Sequence, residues 1–453
     1  MSLHVVILAA GLGKRMASTL PKVLHPLAGK PLLAHVIDTA HTLNPEKIHI
    51  IYGHQGERVQ EALAHYDVNW VQQTEQLGTG HALQQALPHL NGAEWVLVLY
   101  GDVPLISTST LSELLRVSQP NQLGLLTALM PNPTGLGRII RDDANAVRAI
   151  VEEKDATNKQ KQIREIYSGI LCAPRACLEN WLPRIERHNA QAEFYLTDVV
   201  PLAIADEIQI ADCITTQASE VQGVNDRWQL AELERVYQSQ QAQRLAMQGV
   251  SFMDPQRFDC RGELKTGKDV TIDVNVVMEG QNKIGNHVRI GAHCYLKNVT
   301  IGDHVVIEPF SHIEEAIIQN ECHVGPFARL RPGTELAEHA KIGNFVEIKK
   351  THVGRHSKIS HLSYIGDAEI GRDVNIGAGT ITCNYDGVNK FKTIIEDEAF
   401  IGSDTQLIAP VRVGKRATIG AGSTLRKDAP ADQLTVNDTK QKSYPGWKRP
   451  TKN

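Results

Sequence analysis

The chain has 453 residues, 42% apolar and 22% charged, with a formal net charge of −4. That length exceeds one ordinary core and predicts two or three domains, while the apolar content excludes a disordered chain. The near-neutral balance excludes a general nucleic-acid or membrane-surface binder. Seven cysteines (Cys172, Cys177, Cys213, Cys260, Cys294, Cys322 and Cys383) form no CxxC pair and no zinc spacing. Their odd count and scatter fit reduced thiols in the cytoplasm. The amino-terminal apolar run is far shorter than the ~18 residues of a membrane span.

Residues 1–225 alternate apolar runs with helical patterns: "HVVILAA" (4–10), "KIHIIYG" (47–53), "EWVLVLYGD" (94–102) and "LGLLTALM" (123–130). Between the first two, Leu32, Leu33, Val36, Ile37 and Ala40 share one helical face. Apolar strands separated by helices predict a mostly parallel, Rossmann-like sheet covered on both faces. Residues 226–249 predict a long linking helix, with Asp226 as its cap and Gly249 as its stop.

From residue 250 to 453 the style changes again. Every sixth position is aliphatic in Val324, Leu330, Leu336, Ile342 and Ile348, and again from Ile395 through Ile401, Leu407, Val413 and Ile419 to Leu425. Glycine often follows, as in Ile342-Gly343 and Ile401-Gly402. This hexapeptide period is the mark of a parallel β-helix, in which aliphatic residues fill a narrow prism. The period breaks once, in "GTITCNYDGVNKFKTI" (379–394). A polar loop over 382–393 is expected there, leaning over a neighbouring prism to wall a cleft between subunits. A basic cluster (Lys440, Lys442, Lys448, Arg449, Lys452) closes the chain as a solvated tail.

"LAAGLGKRM" (8–16) follows the first strand. It matches neither the dinucleotide fingerprint nor the P-loop, and reads as a glycine-rich turn whose N–H groups can approach phosphates, with Lys14 and Arg15 beside it. Asp102 ends a buried strand, where open α/β sheets bind ligands. A carboxylate there is more often a metal ligand or sugar contact than a core group, since burying it unpaired costs several kcal/mol.

Together with Pro21-Lys22, "EQLGTGHA" (75–82), "YGDVPL" (100–105) and "VQGVN" (221–225), these motifs resemble those of sugar-1-phosphate nucleotidyltransferases. With "GPFARLRPG", "IGNFVEIKK" and "NIGAGTITCNYDG" added, the whole chain resembles the bacterial family of bifunctional N-acetylglucosamine-1-phosphate uridyltransferase/glucosamine-1-phosphate N-acetyltransferases. The resemblance implies a left-handed β-helix, a homotrimer, Mg²⁺, and UTP and acetyl-CoA as substrates. Its product, UDP-N-acetylglucosamine, would feed peptidoglycan and outer-envelope synthesis.

By that resemblance Leu8, Ala9, Ala10, Gly11, Gln73, Gly78, Thr79, Tyr100 and Gly101 hold the uridine nucleotide, and Arg15 and Lys22 neutralise its triphosphate. Gly137, Glu152 and the position of Tyr167 hold the amino sugar, and Asp102 and Asn225 hold Mg²⁺. In the prism, His361 is the implied general base with Glu347 orienting it. Arg331, Lys349, Tyr364, Asn375 and Asn384 bind the acceptor sugar phosphate, and Ala378, Asn384, Tyr385, Ser403 and Ala421 lie along acetyl-CoA. Two departures stand out. Tyr167 replaces an asparagine whose paired donor and acceptor a phenol cannot copy, and Asp438 stands where the family can carry a CoA-phosphate arginine. The alternative reading is a sugar-1-phosphate nucleotidyltransferase whose prism serves only assembly or regulation.

Overall fold

A computed structural model describes residues 2–53, 55–118, 121–437 and 441–449. Asp438, Lys440 and Lys452 lie outside the described residues. Two compact units divide between Tyr237 and Gln238.

In the first unit the main sheet runs in the order Ile210–Thr215, Leu123–Leu129, Glu165–Pro174, Trp95–Tyr100, Leu3–Ala9, Lys47–Tyr52, Asn69–Gln72. Leu3–Ala9 is parallel to both its neighbours. Glu165–Pro174 alone on this path runs antiparallel to both of its own. Its register pairs Leu171 with Val98 and Pro174 with Trp95, so its amino end reaches the edge where Leu3–Ala9 and Trp95–Tyr100 finish. Tyr167 therefore arrives at the same edge as Tyr100. The predicted helical face is buried in the helix Leu32–Thr42, with Leu32, Leu33, Val36, Ile37 and Ala40 fully enclosed.

The helix Arg227–Met247 is capped by Asp226, whose carboxylate accepts from Gln229 N at 2.9 Å. The division between units falls inside this helix rather than at its ends, because its two halves serve different cores. Leu233 packs with Met16, Leu27, Leu32 and Val224, whereas Ala242 and Leu245 join the core that contains Val250 and Phe258.

The second unit is the left-handed parallel β-helix. One interior column runs Ile272, Ile290, Ile307, Val324, Ile342, Ile359, Ile376, Ile401, Ile419, each paired in register with the next. All are at most 2% exposed, and full burial of such a side chain contributes roughly 1.5–3 kcal/mol. The repeat per coil is 17 residues from Ile359 to Ile376 and 25 from Ile376 to Ile401. The extra residues lie between the strands Ile381–Cys383 and Thr393–Ile395. The break is shorter than the sequence suggests. Thr382 and Thr393 are buried ladder residues, with Thr382 stacking on Leu407 and Thr393 on Val411. The Thr382 hydroxyl is satisfied by backbone, accepting from Gly366 N at 2.7 Å, whereas the buried Thr393 Oγ1 has no hydrogen-bond partner among the described residues.

The first unit carries a buried histidine pair. His49 Nε2 lies 3.2 Å from His4 Nδ1, and both rings are at most 1% exposed. His4 Nε2 and His49 Nδ1 have no hydrogen-bond partner. Burial first, then the neighbouring His4, His89 and Lys47, pushes His49 down to about 4 from 6.5. The unfolded chain therefore takes up a proton that the folded one refuses. This contribution to stability is complete above pH 6.5 and is lost as pH falls through 4, in total about 3 kcal/mol. Urea unfolding of wild type and His49→Leu between pH 7 and 4 should show a shallower pH slope in the variant; equal slopes would remove His49 as the cause.

Candidate active sites

At the carboxyl edge of the first sheet lies a cleft of about 350 Å³. It is lined by Leu8, Ala9, Ala10, Gly11, Lys22, Gln73, Gly78, Thr79, Tyr100 and Asp102, ten residues singled out from the sequence, together with Gln76 and Glu193, which were not. A second cleft, about 330 Å³, lies on the other side of the glycine-rich turn and shares Gly11, Leu12 and Lys22 with the first. Arg15 sits on the short turn Lys14–Met16 and is exposed.

Asp102 and Asn225 converge on one cation, the Lys22 ammonium. Lys22 Nζ bonds Asp102 Oδ2 and lies 3.5 Å from Asn225 Oδ1. The main chain is pinned at both residues: Val224 N donates to Asp102 O at 2.9 Å, and Asn225 N donates to Gln229 Oε1 at 2.8 Å. A carboxylate and an amide oxygen are hard donors of the kind magnesium takes, and the ammonium stands in for such a cation, so the donor set fits the expected metal.

Deeper in, Tyr100 and Tyr167 flank Glu152. Burial, then the nearby Asp155 and Asp198, raises the Glu152 carboxyl above its ordinary range. Burial, then Glu152 and Asp102, raises Tyr100; burial, then Tyr100 and Glu152, raises Tyr167 well above a free phenol. Tyr167 donates its hydroxyl to Gly169 O at 2.7 Å, and its own N–H to Gly137 O at 2.9 Å. Gly169, at φ +90°, is required here: a Cβ would come within 2.6 Å of the Tyr100 ring.

In the prism, His361 and Glu347 are not partners. His361 Nδ1 lies 2.7 Å from Asn344 Oδ1, whereas Glu347 accepts from Arg331 Nη1 at 2.8 Å. Coil stacking is the reason: Asn344 lies directly under His361 in the ladder, and Glu347 lies under Tyr364. Lys349 stacks on Gly366. The nearby amino group of Lys390 comes first among the causes that lower the Lys349 pKa, followed by loss of hydration and the charge of Arg331, against the opposing pull of Asp367. Lys390 was not foreseen. It lies in the loop that breaks the repeat, folded as a small hairpin by the bridge of Tyr385 with Lys390. Asn384 donates its amide to Asp367. Asn375 is half-buried and stacks on Phe400. Ala378, Ser403 and Ala421 fall on successive coils, linked by Asp404 N to Ala378 O at 2.7 Å and Gly422 N to Ser403 O at 2.8 Å.

The fold and these sites define a nucleotidyltransferase-type sheet unit followed by a hexapeptide-transferase prism. Residues 5–178 match the MobA-like NTP transferase domain, 260–365 the GMPPB C-terminal domain, and 392–427 six bacterial transferase hexapeptide repeats. The chain is 56% identical over 450 residues to the bifunctional protein GlmU of Azoarcus sp. (strain BH72), covering 99% of this chain and 100% of that one. It is 54% identical over 451 residues to the GlmU of Nitrosospira multiformis, covering 99% and 98%. A crystal structure of UDP-glucose pyrophosphorylase with UDP-glucose is 18% identical, with a TM-score of 0.44, over 52% of this chain and 98% of that one. The chain belongs to the GlmU family of bifunctional proteins.

Gly366 makes room for the acceptor side of the prism site. A Cβ there would lie 2.5 Å from Tyr364 Oη and 2.9 Å from Asn384 Nδ2. Gly366→Ala should therefore displace both side chains, at a cost of about 1–3 kcal/mol for overpacking. A lowered thermal midpoint together with shifted Tyr364 and Asn384 resonances checks it; unmoved resonances would show that the space is not needed.

Proposed function

We propose that this chain makes UDP-N-acetylglucosamine in two steps, acetyl transfer in the prism (250–453) and uridylyl transfer in the sheet unit (1–225), with 226–249 linking them. The observation that carries the reading is the pair of separate sites, one gathering a cation between Asp102 and Asn225, the other gathering Arg331, Lys349 and Lys390 on a prism that also carries His361 oriented by Asn344.

In the prism, Asn344 Oδ1 accepts from His361 Nδ1, which leaves Nε2 with its lone pair free to take a proton. Glucosamine-1-phosphate binds with its phosphate against Lys349 and Lys390, whose mutual repulsion an anion relieves. His361 removes the proton of the amine as its nitrogen attacks the thioester carbonyl of acetyl-CoA; the C–N bond forms and the C–S bond breaks, releasing CoA. The small residues Ala378, Ser403 and Ala421 leave a smooth track for that cofactor.

In the sheet unit, an oxygen of the N-acetylglucosamine-1-phosphate attacks the α-phosphorus of UTP and pyrophosphate leaves. Asp102 and Asn225 would hold Mg²⁺, which would supply charge neutralisation to the phosphates. Lys22 and Arg15 oppose the triphosphate charge, the cleft from Leu8 to Gly11 with Gln73, Gly78 and Thr79 seats the nucleotide, and Gly137 and Glu152 seat the sugar. The raised Glu152 carboxyl is suited to donate as well as accept toward a sugar hydroxyl.

Assembly as a homotrimer is supported by a stacked, half-exposed column at one corner of the prism. Phe310 and Phe327 stack at 4.9 Å and Phe327 and Phe345 at 5.2 Å, and Leu362 beside His361 is 63% exposed. A neighbouring chain on that corner would cover the histidine. A cytoplasmic setting is supported by seven free cysteines; among the described residues, no helix is long and apolar enough to cross a membrane.

The test follows CoA release and pyrophosphate release separately in His361→Ala, Asn344→Ala and Asp102→Asn. His361→Ala should lose ~10²-fold or more of CoA release and keep pyrophosphate release. Asn344→Ala should lose about tenfold and shift the pH profile of CoA release, while Asp102→Asn should show the reverse selectivity to His361→Ala. Wild type that releases pyrophosphate but no CoA would make the prism an assembly or regulatory module.

A further inference from the structure

We infer that Lys22 is a resident counter-cation: it occupies the oxygen pair of Asp102 and Asn225 until a triphosphate draws it away, so that divalent metal and nucleotide bind with strong mutual coupling. The inference rests on the reading of Asp102 and Asn225 as metal ligands.

Three observations carry it. First, the main chain that carries the two oxygens is pinned, and their side chains are short, whereas the cation sits at the end of a long stem. Asp102 and Asn225 sit on backbone locked by Val224 N to Asp102 O and by Asn225 N to Gln229 Oε1. Lys22 reaches them only through its flexible four-carbon stem, from a short turn that Pro21 opens. Second, the pair is largely withdrawn from water, with side chains 12% and 17% exposed, so its attraction is weakly screened. With the ammonium in place, Asp102 offers an arriving divalent cation no net negative charge. Third, Lys22 lines both clefts. Beside it in the second cleft lie Lys14 and the turn Gly11–Gly13, the kind of backbone and cation surface a polyphosphate seeks. A swing of the stem takes the ammonium from carboxylate to phosphate without moving the main chain.

The exchange has a thermodynamic consequence. A triphosphate that takes Lys22 uncovers Asp102, raising its affinity for the metal; by linkage, the metal raises the affinity for the triphosphate by the same factor. Neither ligand then needs to bind tightly alone.

The experiment measures Mn²⁺ on the full chain by water-proton relaxation, with no sugar phosphate present and hence no turnover. Without nucleotide, wild type should bind Mn²⁺ weakly, and Lys22→Met should bind it about tenfold more tightly or better, the scale set by removing one near-buried charge within a few ångströms. Lys22→Arg, which keeps the charge, should stay weak like wild type. Adding UTP should raise Mn²⁺ affinity sharply in wild type and much less in Lys22→Met, and Asp102→Asn should abolish the tight state in every background. Equal Mn²⁺ affinities in wild type and Lys22→Met, with UTP still recruiting Mn²⁺ to wild type, would overturn the proposal and leave the metal reading standing. An equal gain in Lys22→Arg would also overturn it, because charge would not be the cause. If UTP recruits no Mn²⁺ to wild type and Asp102→Asn changes nothing, the metal reading falls and the proposal with it.

Discussion

Each coil of the prism hydrogen-bonds to the coil before it in register, so the neighbours of a side chain are set by sequence distances of 17 or 18 residues. The aliphatic column from Ile272 to Ile419 obeys this spacing from coil to coil, apart from the one loop. The same constraint places function. Asn344 orients His361 because it lies 17 residues earlier; Glu347 turns to Arg331 because its own place in the ladder is under Tyr364. It also limits where a pocket can arise. A filled prism has no cavity, so polar chemistry has to be built on its outside, from stacked side chains and from residues the ladder leaves over. The hairpin after Thr382 is such a surplus, inserted between two intact strands, with Thr382 and Thr393 kept in the core on either side.

The sheet unit works by direction rather than by period. Parallel strands deliver their carboxyl ends to one edge, where the turn after Ala9 and the turn after Tyr100 form the cleft. One antiparallel strand adds its amino end to that edge, and so Tyr167 meets Tyr100 although the two are far apart in sequence. Buried tyrosines and the carboxyl of Glu152 give that end of the site a low-dielectric character. Lys14 and Arg15, on the short turn Lys14–Met16, are exposed and cationic.

Period and motif made much of this legible before any coordinates. The hexad positions Val324 to Ile348 and Ile395 to Leu425 are buried as the period requires, and eight of the ten foreseen cleft residues lie in the glycine-rich turn, "EQLGTGHA" and "YGDVPL", with Lys22 and Gln73 outside them. What was not legible is contact between side chains that no motif joins. Glu193 enters the cleft from a loop without a pattern of its own. Lys390 was hidden because a loop that breaks a repeat gives no phase, and only the bridge of Tyr385 with Lys390 fixes where it points. The resemblance pairs His361 with Glu347, whereas its hydrogen bond here is to Asn344, a register invisible without counting coils. Tyr167 was legible as a departure, but not that its hydroxyl is spent on Gly169 O and its ring buried.

The two sites treat positive charge in opposite ways, and the difference follows from where their acids point. In the sheet unit, the carboxylate of Asp102 faces the ammonium of Lys22, so the empty site is locally neutral and stable as it stands. In the prism, Glu347 is committed to Arg331 and Asp367 accepts from Asn384, while Lys349 and Lys390 are pressed together and the Lys349 pKa falls. The sheet unit, whose lysine is already satisfied, gains its phosphate affinity only by exchanging partners. The contrast is one of pairing: Asp102 has a lysine for its partner, whereas in the prism the carboxylates of Glu347 and Asp367 are each engaged by a residue other than Lys349.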